Sequence, residues 1–328
     1  MRSWTRLGVV VIGLLTSAGA FAQAGSATAG DSRATYVYKT VNGQDLLADV
    51  YKARTDAPRP TILLLHGGAL IFGSRAEVPL ADDYLSHGYN IVSVDYRLAP
   101  ETKLPEIIAD VEDAYQWIRE EGRELFGADP DRVGVIGHSA GGYLAQVAGY
   151  RFRPRPAVVV SFYGYGELTG AWYTAPSTFY SQRYPPITKA LAFSAVGGRE
   201  ISSAPFTSFT AGRAALYLYS RQNGLWPSLV ADHDPVGNRQ WFAAFEPVRN
   251  VTASYPPTML LHGEADTDVP YDESVRMTEA LRRAGVAHEF ITNPEWGHLF
   301  ERTKRDESVV NAIARVLGFL DKHMDNSP

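Results

Sequence analysis

The sequence contains no cysteine, which limits both its chemistry and the ways in which the fold can be stabilised. Disulfides, thiolate metal sites and cysteine nucleophiles are all excluded. Without cross-links the fold depends on its hydrophobic core. A chain of 328 residues, of which 45% are hydrophobic, is long enough to build one large domain around such a core.

Blocks of like charge and long apolar runs are also missing. The formal charge is only −5, and acidic and basic residues are spread along the chain. Binding of nucleic acid needs clustered Lys and Arg, so we expect no nucleic-acid partner. An apolar run at residues 7–15 is shorter than the ~20 residues that a spanning helix needs. We therefore expect no membrane span in the mature chain.

The N-terminus has the composition of a secretory signal peptide. Two arginines precede the apolar run, and an A-x-A pattern ending at Ala22 forms a small-residue cleavage site. We therefore predict a signal peptide over residues 1–22, cleaved after Ala22, and a mature chain over residues 23–328. The protein is expected to be secreted or periplasmic.

The mature sequence alternates between strand-like and helix-like segments. Asn42-Gly43 lies between two β-prone runs, which is a strong hairpin signal. Continuous apolar runs, typical of strands covered on both faces, follow at residues 61–65, 91–94, 132–136, 157–160 and 258–261. Amphipathic helical spacing occurs at residues 104–121, 272–284 and 308–320. These patterns predict a three-layer α/β domain with an N-terminal hairpin and a mostly parallel central sheet flanked by helices.

Residues 162–247 interrupt this alternation. They show no clear strand–helix–strand pattern, and 17 of these 86 residues are aromatic, compared with 21 of the other 242. Large insertions at the loop end of a sheet commonly carry binding function. We therefore predict that this segment is an inserted cap over the active site; the alternative is a structural excursion without a role in binding.

Ser139 lies in the motif GHSAGG, between an apolar strand-like run and a helix-like segment. In a tight strand–turn–helix junction, side chains at positions 137 and 141 would collide with the flanking strand and helix, so glycine is needed there. The strained turn exposes the serine hydroxyl beside a helix N-terminus, which favours negative charge. The pattern therefore predicts that Ser139 is a nucleophile.

A serine nucleophile needs a base, and His298 is the best candidate among the histidines. It follows a predicted last strand at residues 289–292, and we expect an apparent pKa of about 6 to 7 for it. The loop HGEADTDVP, residues 262–270, offers a carboxylate that could orient the histidine. Asp266 is the favoured member. Asp268 is the alternative; otherwise we expect it to stay at the surface or to cap the following helix.

A second glycine-rich loop, HGGA at residues 66–69, follows the predicted strand at 61–65. Glycines there allow backbone N–H groups to approach a ligand directly.

We interpret His66, His138 and His262 as structural histidines. The chain has no H-E-x-x-H motif and no complete calcium loop, so no metal is expected, and nothing in the sequence implies a cofactor.

Together these motifs resemble those of α/β-hydrolases of the hormone-sensitive-lipase-like and related carboxylesterase families. The resemblance covers essentially everything after the signal peptide. It rests on HGGA at 66–69, DYRLAP at 95–100, DPDRVGVIGHSAGG at 129–142, HGEADTDVP at 262–270 and the GH that ends at His298. It implies Ser139 as nucleophile, His298 as base and Asp266 as its orienter. It also implies an oxyanion hole formed by the backbone N–H groups of Gly67, Gly68 and Ala140.

The function implied is that of an exported serine carboxylesterase, which forms an acyl-enzyme on Ser139 with short-chain, aromatic or sugar-linked esters. One alternative is a serine peptidase similar to the prolyl oligopeptidase family. Those enzymes usually carry a large N-terminal propeller, and the short stretch before the first strand pair has no room for one blade of ~40 residues. The other alternative is a non-catalytic binding protein on a hydrolase fold. Such proteins typically lack a triad member, whereas this sequence contains all three.

Overall fold

The computed structural model describes residues 33–53, 58–303 and 306–324. The predicted signal peptide and its cleavage site lie outside these residues. Within the described ranges, none of the helices combines the length and the apolar composition needed to cross a membrane.

One eight-stranded sheet forms the centre of the fold. Its strands are β1 (Arg33–Val41), β2 (Gln44–Tyr51), β3 (Arg59–Leu65), β4 (Asn90–Val94), β5 (Ala128–His138), β6 (Val159–Phe162), β7 (Thr258–Gly263) and β8 (His288–Asn293). They lie in the order β1-β2-β4-β3-β5-β6-β7-β8. Among these strands, β2 runs antiparallel to both β1 and β4, and all other neighbouring pairs are parallel. The prediction of a mostly parallel sheet is therefore confirmed.

The first two strands form the predicted N-terminal hairpin. Asn42 and Gly43 have φ values of 52° and 74°, as in the two-residue turns that Asn-Gly favours. Val41 and Gln44 lie opposite each other at the start of the ladder. Because β2 also pairs with β4, the hairpin extends one edge of the parallel sheet.

The first half of the chain contributes three helices to the layers around the sheet. They are α1 (Ala81–Ser86), α2 (Leu104–Phe126) and α3 (Ala140–Arg151). α2 is five residues longer than the predicted helix at 104–121. It ends where Gly127 adopts φ 74°, which is a common way to stop a helix because glycine tolerates the left-handed conformation.

Residues 162–247, which we call the cap segment, consist of short helices joined by loops. The helices are α4 (Ala171–Thr174), α5 (Thr178–Arg183), α6 (Lys189–Ala192), α7 (Gly212–Asn223), α8 (Trp226–Ala231) and α9 (Arg239–Ala243), and α10 (Pro247–Asn250) leads on to β7. Several of the aromatic side chains of this segment are buried, among them Tyr173, Tyr180, Tyr217 and Trp226. These four side chains belong to the same hydrophobic cluster as residues of α2 and α3, so the aromatic residues pack the cap segment onto that layer of the fold.

The last two helices are α11 (Asp272–Arg283) and α12 (Glu307–Met324), close to the predicted ranges 272–284 and 308–320. In β3, Leu63 and Leu65 belong to the hydrophobic cluster that includes α2 and α3, whereas Ile62 and Leu64 belong to the cluster that includes α12. Successive strand residues therefore pack on opposite faces of the sheet. This confirms the predicted three-layer arrangement.

The carboxyl ends of the parallel strands meet at one edge of the sheet. The loops that follow β3, β5, β7 and β8 carry, in this order, the HGGA motif, Ser139, Asp266 and His298. In open α/β sheets this edge is the usual place of a binding site.

Candidate active site

Ser139 lies in a sharp turn between β5 and α3. Its backbone has φ 56° and ψ −118°, a conformation that most residues keep only where their surroundings impose it. A Cβ at Gly137 would lie 1.9 Å from the carbonyl oxygen of Gly141, and a Cβ at Gly141 would lie 2.0 Å from that of Leu65. Glycine is therefore required on both sides of the serine, which is the physical basis of the GHSAGG motif.

The main chain of Ser139 is fixed on both sides, while its hydroxyl is not used by the helix. The N–H group donates to the carbonyl oxygen of Phe162 at 2.9 Å, and the carbonyl accepts from the N–H of Tyr143 at 3.0 Å. Serine is a favoured N-cap residue, but here the side chain makes no capping hydrogen bond with α3. The hydroxyl thus remains available to another partner.

The glycine loop, residues 66–73, lies against this turn. A Cβ at Gly67 would be 3.4 Å from the Cβ of Ser139. Gly68 has φ 100°, and a Cβ there would lie 2.0 Å from the carbonyl oxygen of Phe72. The N–H groups of Ile71 and Phe72 both donate to the carbonyl of Gly68 at 2.9 Å. The tight turn therefore requires glycine, and it brings the backbone of Gly67 next to the serine.

The three predicted oxyanion-hole donors are close to this contact. Among the described residues, the N–H groups of Gly67 and Gly68 donate to no backbone carbonyl. Ala140 is the first residue of α3, and the first N–H groups of a helix have no partner within it. All three donors are therefore available to a ligand oxygen, and each lies within one residue of the Gly67–Ser139 contact.

His66 supports the glycine loop from the side of the core. Its ring stacks on Tyr96 at a centroid distance of 4.2 Å, and its Nδ1 lies 2.7 Å from the carbonyl oxygen of Gly67. The hydroxyl of Tyr96 donates to the carbonyl of His66 at 2.8 Å. Burial lowers the pKa of His66, so the ring is neutral. These contacts agree with a structural role, and they explain the tyrosine of the DYRLAP motif.

His298 and Asp266 form a hydrogen bond of 2.7 Å between Nδ1 and Oδ2. The other carboxylate oxygen of Asp266 accepts from the N–H groups of Asp268 and Val269 at 2.8 and 3.0 Å. Burial by itself would raise the pKa of Asp266, but the neighbouring His298 and His262 hold this pKa well below its usual value. Asp266 is therefore ionised. Its Oδ2, which accepts from Nδ1, fixes the orientation of the His298 imidazole.

Main-chain contacts hold the Asp266 and His298 loops together. The N–H of Ala265 donates to the carbonyl of Trp296 at 3.1 Å, and the N–H of Glu264 donates to that of Asn293 at 3.0 Å. The loops approach so closely that a Cβ at Gly263 would lie 1.9 Å from the carbonyl oxygen of Trp296. The glycine of the HGEADTDVP motif is thus needed for the two loops to meet.

His298 also lies beside the serine turn. Its ring centroid is 4.4 Å from that of Tyr163, and Tyr163 follows Phe162, the acceptor for the N–H of Ser139. Burial lowers the pKa of His298, but Asp266 raises it more strongly, with smaller contributions from Asp268 and Glu301, so that the pKa is about 9. This value lies above the expected 6 to 7, because the expectation did not include these carboxylates.

The expected position of Asp268 was wrong. Instead of staying at the surface or capping α11, it turns toward the cap segment, where its Oδ1 accepts from Arg221 at 2.7 Å and from the hydroxyl of Tyr217 at 2.5 Å. Its Oδ2 lies 3.6 Å from Nε2 of His298. The residue before α11 is Tyr271, with no side-chain cap. The ion pair with the largely buried Arg221 decides the orientation of Asp268.

The remaining two histidines of the motifs pack inside the protein. His138 stacks on Phe162 at 4.4 Å, and burial, helped by the nearby Arg302 and His298, lowers its pKa to about 3. Neither of its ring nitrogens has a hydrogen-bond partner in the described part of the chain. His262 is bonded on both sides, with Nδ1 2.7 Å from Oγ of Ser274 and Nε2 3.1 Å from the carbonyl oxygen of Val269.

The sequence analysis missed four residues that surround the candidate site: Tyr163, Tyr217, Arg221 and Trp226. All four belong to the cap segment, and the indole N–H of Trp226 donates to the carbonyl of Ala69 in the glycine loop at 2.9 Å. The only signal for the three aromatic residues was the high aromatic content of residues 162–247, which indicates no particular contact, and nothing in the pattern pointed to Arg221.

Comparison with known proteins identifies the family. Residues 62–302 match the family described as the α/β hydrolase fold, and the chain belongs to this family. Over 308 residues it is 32% identical to the non-reducing polyketide synthase Preu6 of Preussia isomera. The aligned region covers 84% of this chain and only 14% of that synthase, so the chain spans about one seventh of the length of this curated relative.

Solved structures share the fold at lower sequence identity. A protein of unknown function from Staphylococcus aureus superposes with a TM-score of 0.72 and 23% identity, covering 89% of this chain and 99% of the other. A thermophilic esterase from Thermogutta terrifontis, solved with propionate bound, superposes with a TM-score of 0.61 and 20% identity, covering 90% and 96%. These likenesses establish the α/β-hydrolase architecture, and one of the similar proteins is an esterase.

Proposed function

We propose that this chain is an exported serine carboxylesterase. The observation that carries the proposal is the hydrogen-bonded pair of His298 and Asp266, which lies at the same edge of the sheet as Ser139. The N–H groups of Gly67 and Gly68, which donate to no backbone carbonyl in the described ranges, lie at this edge as well. These are the groups that acyl transfer needs: a nucleophile, a base, an orienting carboxylate and donors for an oxyanion. The proposed export rests on the signal-peptide pattern of residues 1–22.

In the proposed reaction, Oγ of Ser139 attacks the ester carbonyl carbon while Nε2 of His298 takes the hydroxyl proton. The carbonyl oxygen becomes negatively charged and accepts hydrogen bonds from the N–H groups of Gly67, Gly68 and Ala140. The C–O bond to the alcohol then breaks, and His298 returns its proton to the leaving oxygen. A water molecule releases the acid from Ser139 by the same steps in reverse order.

Asp266 has two roles in this mechanism. Its Oδ2 accepts the hydrogen bond from Nδ1 of His298, which leaves Nε2 as the nitrogen that faces the reaction. Its negative charge stabilises the imidazolium that forms when the serine proton is taken.

For the substrate we propose esters that carry an aryl group or a sugar. Phe72, at the end of the glycine loop turn, lies 5.6 Å from the ring of Phe206 and 6.1 Å from that of Tyr217. Tyr217 in turn contacts Asp268, next to His298. Aromatic side chains bind flat rings well, and Phe72 and Phe206, which are partly exposed, lie at the end of the loop that carries the oxyanion donors.

Hydrolysis of p-nitrophenyl acetate by the purified mature chain tests the proposed chemistry. We expect Ser139→Ala to lose on the order of 10⁶ in kcat, as removal of a triad serine does elsewhere. The exposed Ser181→Ala in α5 is the matched control and should keep wild-type rates. A fluorophosphonate probe should label Ser139 in the wild type, located by peptide mass spectrometry. Full turnover by Ser139→Ala would refute the assignment.

A substrate panel tests the proposed substrate class. Aryl esters and acetylated methyl glycosides are compared with alkyl esters of equal acyl length, and a p-nitroanilide serves as the peptidase substrate. We expect kcat/KM to be highest for the aryl or sugar esters. Preferential cleavage of the anilide would instead favour a peptidase similar to the prolyl oligopeptidase family, and no turnover with any substrate would favour a binding protein.

A further inference from the structure

The glycine loop contains a backbone conformation that its own residues do not favour. Ala69 and Leu70 follow Gly67 and Gly68, and they have φ values of 56° and 61°. Two consecutive L-residues in the left-handed region are unusual because their Cβ atoms crowd the backbone there. Such a conformation persists only where contacts from outside the loop impose it. The source of those contacts determines which part of the protein shapes the site.

The core of the hydrolase domain holds only part of the loop. The hydroxyl of Tyr96 binds the carbonyl of His66, and the N–H of Ala99 donates to the carbonyl of Leu70 at 2.8 Å. The carbonyl of Ala69, which lies between these two points, receives its hydrogen bond from the cap segment.

The cap segment binds the rest of the loop. The indole Nε1–H of Trp226 donates to the carbonyl of Ala69 at 2.9 Å. In α7, Nε of Arg213 donates to the carbonyl of Ile71 at 2.8 Å. Gly73 and Ala204 exchange two main-chain hydrogen bonds, of 2.7 and 2.9 Å. Every second carbonyl from Ala69 to Gly73 is thus bound by a residue of the cap segment.

The donor on Trp226 is held rigidly. Its side chain is fully buried at the start of α8. The indole stacks on Tyr173 with a centroid distance of 4.0 Å and an interplanar angle of 10°, and the ring of Tyr165 packs edge-on at 5.9 Å. A ring fixed on both sides can impose a position on the Ala69 carbonyl, because it cannot move to follow the loop.

We propose that Trp226 is a positioning residue for the reaction: its indole N–H fixes the peptide between Ala69 and Leu70, and through it the direction of the Gly67 and Gly68 N–H groups. The tight turn closed on the Gly68 carbonyl connects these peptides, so a rotation at Ala69 is transmitted to Gly68. This inference rests on the proposed esterase function. It assigns the alignment of the oxyanion hole to the cap segment.

The expected kinetic signature follows from the role of the donors. Oxyanion-hole hydrogen bonds stabilise the transition state more than the bound ester, and loss of one donor costs about 10²–10³ in kcat. Misalignment of donors that are still present should cost less. For Trp226→Phe, which keeps a buried aromatic ring but removes the N–H together with the rest of the five-membered ring, we expect kcat to fall at least about tenfold while KM stays within about threefold of the wild type.

The matched control is Trp241→Phe in α9. Trp241 also belongs to the cap segment, but it stacks on His233 at 4.1 Å and packs on Phe245 at 4.5 Å. All rates are measured with p-nitrophenyl acetate and divided by the concentration of active sites, obtained by burst titration. The control should keep the wild-type kcat. The rate of inactivation by a fluorophosphonate should fall with kcat in Trp226→Phe, because phosphonylation uses the same oxyanion donors.

A second variant keeps the test decisive where Trp226→Phe does not fold. Incorporation of 3-benzothienylalanine at position 226 replaces the indole N–H by sulfur in a ring of almost the same size, and the same loss of kcat is expected. A kcat within twofold of the wild type in either folded variant would overturn the inference while leaving the esterase intact. A wild type without activity on any ester would overturn the proposed function, and the inference with it.

Discussion

Asp266 and His298 are joined by a hydrogen bond of 2.7 Å although 32 residues separate them in the sequence. A second carboxylate, that of Asp268, lies 3.6 Å from the opposite nitrogen of the same imidazole. The two acids therefore face different sides of one base. The carboxylate on each side of the imidazole should therefore affect the activity in its own way.

Neutralising the two carboxylates should have different effects. Asp266→Asn removes the acceptor that orients Nδ1 of His298, and the equivalent change in a serine protease lowered kcat by about 10⁴. We expect a loss of similar size here. Asp268→Asn should leave kcat at its pH plateau within a few-fold, but weaken the hydrogen bonds to the buried Arg221 and cost about 1.5–3 kcal/mol of stability. Steady-state kinetics and thermal unfolding of both variants check this.

The reverse pattern would contradict this assignment. A collapse of kcat in Asp268→Asn, with Asp266→Asn nearly unaffected, would make Asp268 the orienting acid. Asp272→Asn, an exposed carboxylate in the first turn of α11, is the control for the loss of one negative charge in the same region.

The activity should depend on an alkaline pKa. His298 must be neutral to accept the serine proton, and its raised pKa means that the imidazolium persists up to about pH 9. As the pH rises through this value the base becomes available, so kcat/KM should increase with pH and level off above about 9. A profile that is already flat between about pH 6 and 8, with chemistry rate-limiting, would contradict the role of the neighbouring carboxylates.

Asp268→Asn should shift this profile. Removing a negative charge near Nε2 destabilises the imidazolium, so the pKa of His298 falls and the midpoint of kcat/KM moves to lower pH. Below about pH 8 the variant should then equal or exceed the wild type. Asp272→Asn should leave the midpoint unchanged. An unchanged midpoint in Asp268→Asn would show that its charge does not act on His298.

Two glycine substitutions should have opposite effects on stability. A Cβ at Gly263 would overlap the carbonyl oxygen of Trp296 at 1.9 Å, so Gly263→Ala should cost at least about 1–3 kcal/mol and separate the Asp266 and His298 loops, with a loss of activity. Gly318 lies within α12, and a Cβ there would meet nothing within 4 Å. Gly318→Ala should therefore stabilise the protein by up to about 1 kcal/mol. Denaturant unfolding and ester turnover, measured on both variants, check these two expectations.

The proposed export gives a prediction for the N-terminus of the mature chain. Ala20 and Ala22 occupy the small-residue positions of the A-x-A site. Intact-mass measurement of the protein collected outside the cytoplasm should therefore give a chain that begins at Gln23. A mass that corresponds to the full-length chain would contradict the cleavage.

Short-range patterns were enough to predict the framework. Strands covered on both faces need continuous apolar residues, and the runs around Leu63 and Leu260 show this directly. The tight turn at Ser139 needs glycines at fixed spacing because a Cβ at either position would overlap the backbone, so this requirement can be read from the sequence. In both cases the physical constraint acts between residues that are near each other in the chain.

The contacts of the cap segment could not be predicted in this way. Asp268 is oriented by Arg221, which is 47 residues away in a segment without periodicity. Trp226 reaches Ala69 across 157 residues. A single sequence shows that such side chains exist, but their partners are decided by how the segment packs on the sheet, and no local pattern contains that information.

The paired main chains of Gly73 and Ala204 have a consequence for the way in which substrate enters. Because these two hydrogen bonds join the cap segment to the glycine loop, lifting the segment as a hinged lid would break them and release the Ala69 carbonyl from Trp226. The cap segment should therefore stay bound to the glycine loop during turnover. The rate should rise as a simple hyperbola when the ester concentration is increased past the solubility limit of the ester, without the jump of interfacial activation.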